Sequence, residues 1–345
     1  MARGNWTQVI LDRLIWIIIL LVVIFFALTT KDFLTGINFI NILLHASVLG
    51  VLTIGQAICL MSGNFDLSAE GTLSLVTVLA AWLMLPYREM TLAQAGGIGW
   101  QLSPFIVIPI MLIVGALVGL VNGLLITRLN MNNFIVTLAM QLILRGIAFV
   151  ISMGAIMPGT PEAFNWLGAG RIGPLPVSVI VTVLLFIVTG VFLNFSRFGR
   201  ELYAVGANKH AARASGFNPK SIVTKAYIIG GLSAGLAGWM LLGRLQTSVP
   251  NLGQGMTLET VAAAVIGGVA LSGGSGTIIG AFAGVLLLSV IADGLNLMSV
   301  NPFWVDGVRG LIILVALLLE AQKVRIRVHA ARASSPDAQP EVVAK

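Results

Sequence analysis

Apolar residues along this chain come in long unbroken blocks separated by short polar stretches, the first of them 15 apolar residues at 14–28. Blocks of this kind suit helices crossing about 30 Å of hydrocarbon, for which roughly 20 predominantly apolar residues are needed. Ten spans are read, at about 14–30, 40–61, 67–86, 104–127, 134–153, 174–194, 222–243, 257–272, 277–297 and 303–320. The pattern predicts an all-α integral membrane protein of about ten transmembrane helices. A cytoplasmic N-terminal segment (1–13) precedes the transmembrane domain (14–320), and a polar cytoplasmic tail (321–345) follows it.

Composition agrees with that reading: 57% of residues are hydrophobic and 10% charged, with 39 glycines, and the mean hydropathy is +0.99. These values lie far from soluble-domain usage. The first block follows Arg3 and Arg13, as a secretory signal would, but it ends Ala27-Leu28-Thr29-Thr30 without a small-x-small cleavage site and is read as a span. The single cysteine, Cys59, falls inside a predicted helix, so no internal disulfide is expected.

The net charge of +7 raises nucleic acid as a partner. The basic residues are instead grouped by loop. Residues 196–225 hold Arg197, Arg200, Lys209, Arg213, Lys220 and Lys225 against one acid, Glu201, and the tail adds Lys323, Arg325, Arg327 and Arg332. The intervening connections balance, with Lys31 beside Asp32 and Arg88 beside Glu89. By the positive-inside bias the two basic segments and both termini are cytoplasmic, and the partner that charge implies is the lipid bilayer. Residues 333–345, with two prolines, are expected to be disordered.

The polar stretch GRELYAVGANKHAARASGFNPKS (199–221) contains a helix signal of its own. Asn208 suits an N-cap, 209–215 carries three alanines, Gly216 suits the left-handed position after a helix, and Pro219 stops continuation. A helix of about two turns is unstable alone in water and needs something to dock on; a solvated loop that only carries topology charges is the alternative.

Glycines at spacing four, Gly115, Gly119 and Gly123, then Gly276, Gly280 and Gly284, read as faces for close helix packing, as does the group Gly230, Gly231, Gly235 and Gly238. Two stretches interrupt the spans more sharply. In MSGNFDLSAEGTLSL (61–75), Gly63 and Asn64 end one block while Asp66, Ser68 and Glu70 open the next, with Asp66 placed to cap it; in VIGGVALSGGSGTIIG (265–280), glycines divide two segments. Broken backbone at membrane depth requires burial in protein or a wet cavity, so both stretches point to a pathway.

Asp66, Glu70, Arg145, Glu259, Asp293, Asp306 and Arg309 are ionisable groups within or near the spans. Helix caps and an Asp306–Arg309 pair one turn apart account for most of them structurally. His45 is a lone histidine on an apolar helix, and there is no metal-ligand cluster. No lysine follows a glycine, which excludes a P-loop and ATP hydrolysis by this chain; Gly-x-Ser-x-Gly and His-Glu-x-x-His are absent too. An intramembrane enzyme, the rival from another class, therefore lacks a reactive set, and a stand-alone ion-coupled carrier is the second rival.

Three separated segments, GNFDLSAEGTLSL, NNFIVTLAMQLILRGIAFVIS and GRELYAVGANKHAARASGFNPKSI, together with the C-terminal half from VAAAVIGGVALSGGSGTIIG onward, resemble the permease subunit of ribose- and xylose-type ABC sugar importers, over about 40–320. The family usually shows Gly-Gly-Ile-Asp-Leu-Ser-x-Gly; here Asn64 and Phe65 precede Asp66, Glu70 stands where glycine is usual, and Ala139 replaces a common glycine. The Glu70-Gly71 pair is similar to nucleoside-type ABC permeases, the alternative substrate class.

The resemblance implies a type II-like importer permease fold with broken helices and a second permease copy or close homologue. It also implies an ABC ATPase subunit that binds ATP and Mg, and a periplasmic solute-binding protein, at a bacterial inner membrane. This chain would bind no cofactor and move a small polyhydroxylated solute such as a monosaccharide. Asn64, Phe65, Asp66 and Ser68 are then expected near the translocation path, with Gln141 and Asn296 as further polar lining. Within the coupling loop (196–221), Gly206, Asn208, Lys209, Ala211, Ala212, Arg213, Ser215 and Gly216 are expected to meet the ATPase: Gly206 and Gly216 as turn formers, and the small residues and Arg213 as the docking face.

Overall fold

The computed structural model describes residues 5–87 and 94–301, together with positions 304, 307, 308, 310, 311, 314 and 318. The expected tail (321–345), the Arg88–Glu89 and Asp306–Arg309 pairs and most of the last expected span lie outside the described residues, as do the first four residues of 1–13.

The apolar blocks fold as helices. In chain order they are α1 (Asn5–Thr29), α2 (Gly36–Met61), α3 (Ala69–Met84), α4 (Pro104–Arg128), α5 (Asn133–Ser152), α6 (Glu162–Ala169), α7 (Val177–Phe195), α8 (Arg197–Ala207), α9 (Lys209–Ala214), α10 (Pro219–Leu245), α11 (Met256–Ile266) and α12 (Ile278–Leu297). Among the described residues, α2, α4, α5, α7, α10 and α12 are long and apolar enough to cross a membrane; the Ile15–Thr29 part of α1, α3 and α11 are shorter apolar helices. Two-residue strands make two small antiparallel ladders, β1 (Met157–Pro158) with β4 (Thr247–Ser248), and β2 (Arg171–Ile172) with β3 (Leu175–Pro176).

Helix α10 is the hub, packed on α2, α3, α4 and α6. Its seam with α4 is closed by glycine on both sides: a Cβ at Gly115 would lie 2.3 Å from the Gly231 carbonyl oxygen, and one at Gly119 would lie 2.1 Å from that of Tyr227. Missing side chains let the two backbones touch, the packing expected from the spacing. On α12 the ladder is shorter than expected. Gly280 and Gly284 meet the carbonyls of Gly267 and Ala263, but Gly276 precedes the helix, in a loop with φ +133°.

One apolar cluster joins α2, α7, α10, α11 and α12 and extends into the polar segment through Leu202 and Val205 of α8 and Ala212 of α9. Helix α8 was not foreseen. Its apolar residues Phe198, Leu202 and Val205 recur at helical spacing among charges, which is the pattern of an amphipathic helix lying on the bundle.

Candidate functional site: two helix breaks resting on a polar helical segment

The first break, 62–68, turns the chain from α2 into α3. Its polar groups are largely used within this chain. Asn64 Nδ2 donates to Ser62 O and Ser62 Oγ at 3.0 and 2.9 Å, and Asn133 Nδ2 donates to Asn64 Oδ1 at 3.4 Å. Asp66 Oδ1 accepts from Ser68 N at 2.9 Å and Ser68 Oγ at 2.6 Å. Ser68 Oγ in turn accepts from Asn122 Nδ2 of α4 at 2.8 Å. Tyr227 of α10 donates its hydroxyl to Phe65 O at 2.6 Å.

Asn64, Asp66 and Ser68 are thus 2–3% exposed, buried among the chain's own helices. They were expected to face the path; in this conformation they brace the turn. Asp66 is not the N-cap of α3 either: Ser68 holds that position without a side-chain cap bond, and Asp66 closes the turn before it. Phe65 is half-buried, as is Gln141. Asn296 is exposed near the far end of α12. It stands 18 residues from the start of that helix, about 27 Å along its axis at 1.5 Å per residue, and is not brought to the others.

In the first turn of α3, Glu70 gathers two other helices, α5 and α11. Its Oε1 accepts from Gln141 Nε2 of α5 and lies 3.9 Å from Arg145 Nη1; its Oε2 accepts from Gly255 N at 3.0 Å; and its own amide donates to Thr257 Oγ1 at 3.1 Å. Gly255 is the N-cap of α11 and has no side chain to offer, so the Glu70 carboxylate supplies the negative charge that a helix N-terminus favours. Gly71 allows the approach of α5, since a Cβ there would lie 2.7 Å from Gln141 O. Neither Glu70 nor Arg145 was singled out as a site residue. The spacing of Gln141 and Arg145, four apart on one helix, was the available signal.

The second break, 267–277, lies against the first. Gly274 N donates to Met61 O at 2.9 Å, and a Cβ on Gly273 would stand 2.6 Å from Gly63 Cα. Both rest on the end of α8. Gly206 has its Cβ position 1.9 Å from Met61 O and 2.5 Å from Gly274 N, and Tyr203 donates its hydroxyl to Gly276 O at 3.0 Å. Burial pushes the Tyr203 phenol above its ordinary value, which keeps it a donor at neutral pH. Gly206 therefore does not supply a turn: it is inside α8 and its role is close contact.

Helix α9 forms where the cap signals place it. Asn208 Oδ1 accepts from His210 N and Ala211 N at 2.9 and 3.0 Å, and Gly216 has φ +84° after the last turn. Lys209, His210, Ala211, Arg213, Ser215 and Gly216 are exposed. Ala212 is not: at 4% exposure it packs into the chain's own core with Leu202 and Ile222, so it anchors the helix and is not part of an outward docking face. Among the described residues no group of three or more His, Cys, Asp or Glu is placed to hold a metal ion.

A bundle of long apolar helices, interrupted at two adjoining breaks and carrying an exposed helical platform at one end, defines a multi-pass membrane permease. The chain belongs to the family described as branched-chain amino acid transport system / permease component, which it matches over residues 38–317. It is 34% identical over 305 residues to the ribose import permease protein of Bacillus subtilis (strain 168), covering 88% of this chain and 90% of that protein. The ribose import permease protein of Escherichia coli (strain K12) is 32% identical over 298 residues, 85% of this chain and 88% of that one. The L-arabinose ABC transporter permease protein of Azospirillum brasilense is 33% identical over 319 residues, 92% and 90% of the two chains. No solved structure matches the chain.

Proposed function

We propose that this chain is the membrane-spanning subunit of an ATP-driven importer for a monosaccharide. The observation that carries this reading is end-to-end similarity to import permeases named for ribose and L-arabinose, at 32–34% identity over most of both partners. Those names favour a monosaccharide over a nucleoside, to which only the Glu70-Gly71 pair points.

Energy enters from outside the chain, on a separate ABC ATPase that binds ATP and Mg. The exposed face of α9, with Lys209, Ala211, Arg213 and Ser215, is the docking surface we assign to it, and the basic charge of the segment puts it on the cytoplasmic side. A push on α9 passes through Ala212 into α8, and from Gly206 and Tyr203 to both breaks. The path runs beside those breaks, between this chain and a second permease copy, with Phe65 and Gln141 at its edge and Asn64, Asp66 and Ser68 as the scaffold behind them. A periplasmic solute-binding protein delivers the solute at the opposite face of a bacterial inner membrane, and both termini are cytoplasmic. Loose contacts suit such a path, since tight binding in transit slows release.

The test is uptake by proteoliposomes holding the permease, its ATPase and its binding protein, using radiolabelled ribose, arabinose and galactose. Uptake that requires ATP and the binding protein is expected; uptake by the permease alone under an ion gradient would overturn the reading.

A further inference from the structure

Arg145 is the thirteenth of the 20 residues of α5. That puts it ~18 Å along a helix ~30 Å long, near mid-depth, where a charged side chain facing lipid is unfavourable. Its side chain nonetheless stays 32% exposed, and its contact with Glu70 Oε1, at 3.9 Å, is longer than a hydrogen bond. The Glu70 oxygens are already engaged by the amides of Gln141 and Gly255. The guanidinium is thus held by charge while its fixed fork of donors stays available.

Gln141, one turn earlier on the same helix, gives its Nε2 to Glu70, which orients its Oε1 as an acceptor. A donor fork and an acceptor one turn apart match neighbouring hydroxyls, each of which can accept and donate. A lipid chain offers neither. Because Glu70 balances Arg145, the spot is charge-neutral and suits an uncharged polyol rather than an anion. We propose that Arg145 and Gln141 form the hydroxyl-reading contact of the solute path along the α3–α5 seam, with Glu70 as the positioning residue. This deepens the monosaccharide-importer reading and rests on it.

The experiment uses the assembled importer with its ATPase and binding protein. The only cysteine of the chain, Cys59, is buried, so introduced thiols report on their own surroundings. Arg145→Cys and Gln141→Cys are expected to react with a quaternary-ammonium methanethiosulfonate, and the transported sugar among ribose, arabinose and galactose slows that reaction. Ile143→Cys, exposed on the side of the same helix turned away from Gln141 and Arg145, is expected to react poorly because thiols ionise little in lipid. Equal unreactivity at all three positions, with and without ATP, overturns the proposal.

Arg145→Lys keeps the charge and serves if a cysteine variant fails to assemble. It is expected to reduce uptake of the cognate sugar about tenfold, and that of an analogue lacking one ring hydroxyl by no more than about threefold, with ATP hydrolysis still stimulated by the binding protein. Undiminished uptake, or an equal fall for both sugars, overturns the assignment. The unaltered complex separates the two readings: if it moves none of the three sugars, the importer reading fails and takes this proposal with it; if it transports while Arg145→Lys does not discriminate, the hydroxyl-reading contact alone is lost.

Discussion

Gly206 and Met61 touch backbone to backbone: a Cβ on Gly206 would stand 1.9 Å from the Met61 carbonyl oxygen. The last turn of α8 is thereby fixed to the last turn of α2, beside the point where Gly274 N also bonds Met61 O. The obstacle to a side chain is main chain, which has no rotamer to adopt. Gly206→Ala is therefore expected to lower stability by about 1–3 kcal/mol, the usual range for overpacking. The exposed face of α9 is untouched, so ATPase binding should persist while uptake falls. Thermal unfolding in detergent and co-purification of the ATPase check both halves, and unchanged stability together with normal uptake would remove Gly206 from the coupling route.

Ala211 and Ala212 are neighbours with opposite surroundings, one exposed and one in the core. Ala211→Arg is expected to leave the unfolding temperature of the permease within a degree or two, because surface substitutions usually fall within about 0.5 kcal/mol, while weakening ATPase pull-down. Ala212→Arg forces a charge into the cluster formed with Leu202 and Ile222 and should lower both stability and pull-down. An equal change in unfolding temperature for the two variants would refute the assigned orientation of α9.

The membrane helices were legible because lipid forces long apolar blocks, and the cap at Asn208 was legible because its signal is local. What sequence could not show was where apolarity stops meaning helix. The span expected at 257–272 ends at Ile266, since Gly267 packs its Cβ position 2.2 Å from Gly280 O and Gly268 has φ +88°, although Val269 and Leu271 continue the apolar run. Helix α6 was missed because its eight residues form no membrane-length block; it is held by tertiary contacts such as Trp239 Nε1 donating to Phe164 O at 2.9 Å. The Glu70–Gln141–Arg145 group joins residues about seventy positions apart, and only the fold brings them together.

Gly119 lies under the Tyr227 carbonyl, 2.1 Å from the position its Cβ would take. Gly119→Leu must therefore spread α4 from α10 along the seam that also includes Gly115 and Gly231. The expected outcome is failure to accumulate in the membrane, whereas Gly146→Leu on α5, where nothing lies within 4 Å, is tolerated. Quantitative blotting of membrane fractions for the two variants measures this, and comparable levels would contradict the close α4–α10 seam.

Asp66 supplies one oxygen, Oδ1, to both the amide and the hydroxyl of Ser68. Asp66→Ala removes that acceptor and leaves two buried donors without it, a loss of about 1–3 kcal/mol. Asp66→Asn keeps a carbonyl oxygen in the same place but sets an NH2 group beside Gly230, whose Cβ position is 3.2 Å from Asp66 Oδ2. The expected order of thermal stability is therefore wild type, then Asp66→Asn, then Asp66→Ala. Ser68 couples Asp66 to Asn122 through one hydroxyl, so Asp66→Ala combined with Asn122→Ala should cost less than the sum of the single changes. Differential scanning fluorimetry of wild type, the three single variants and the double variant tests this; additive losses, or an Asp66→Ala variant as stable as wild type, would show that the buried chain of hydrogen bonds does not brace the break.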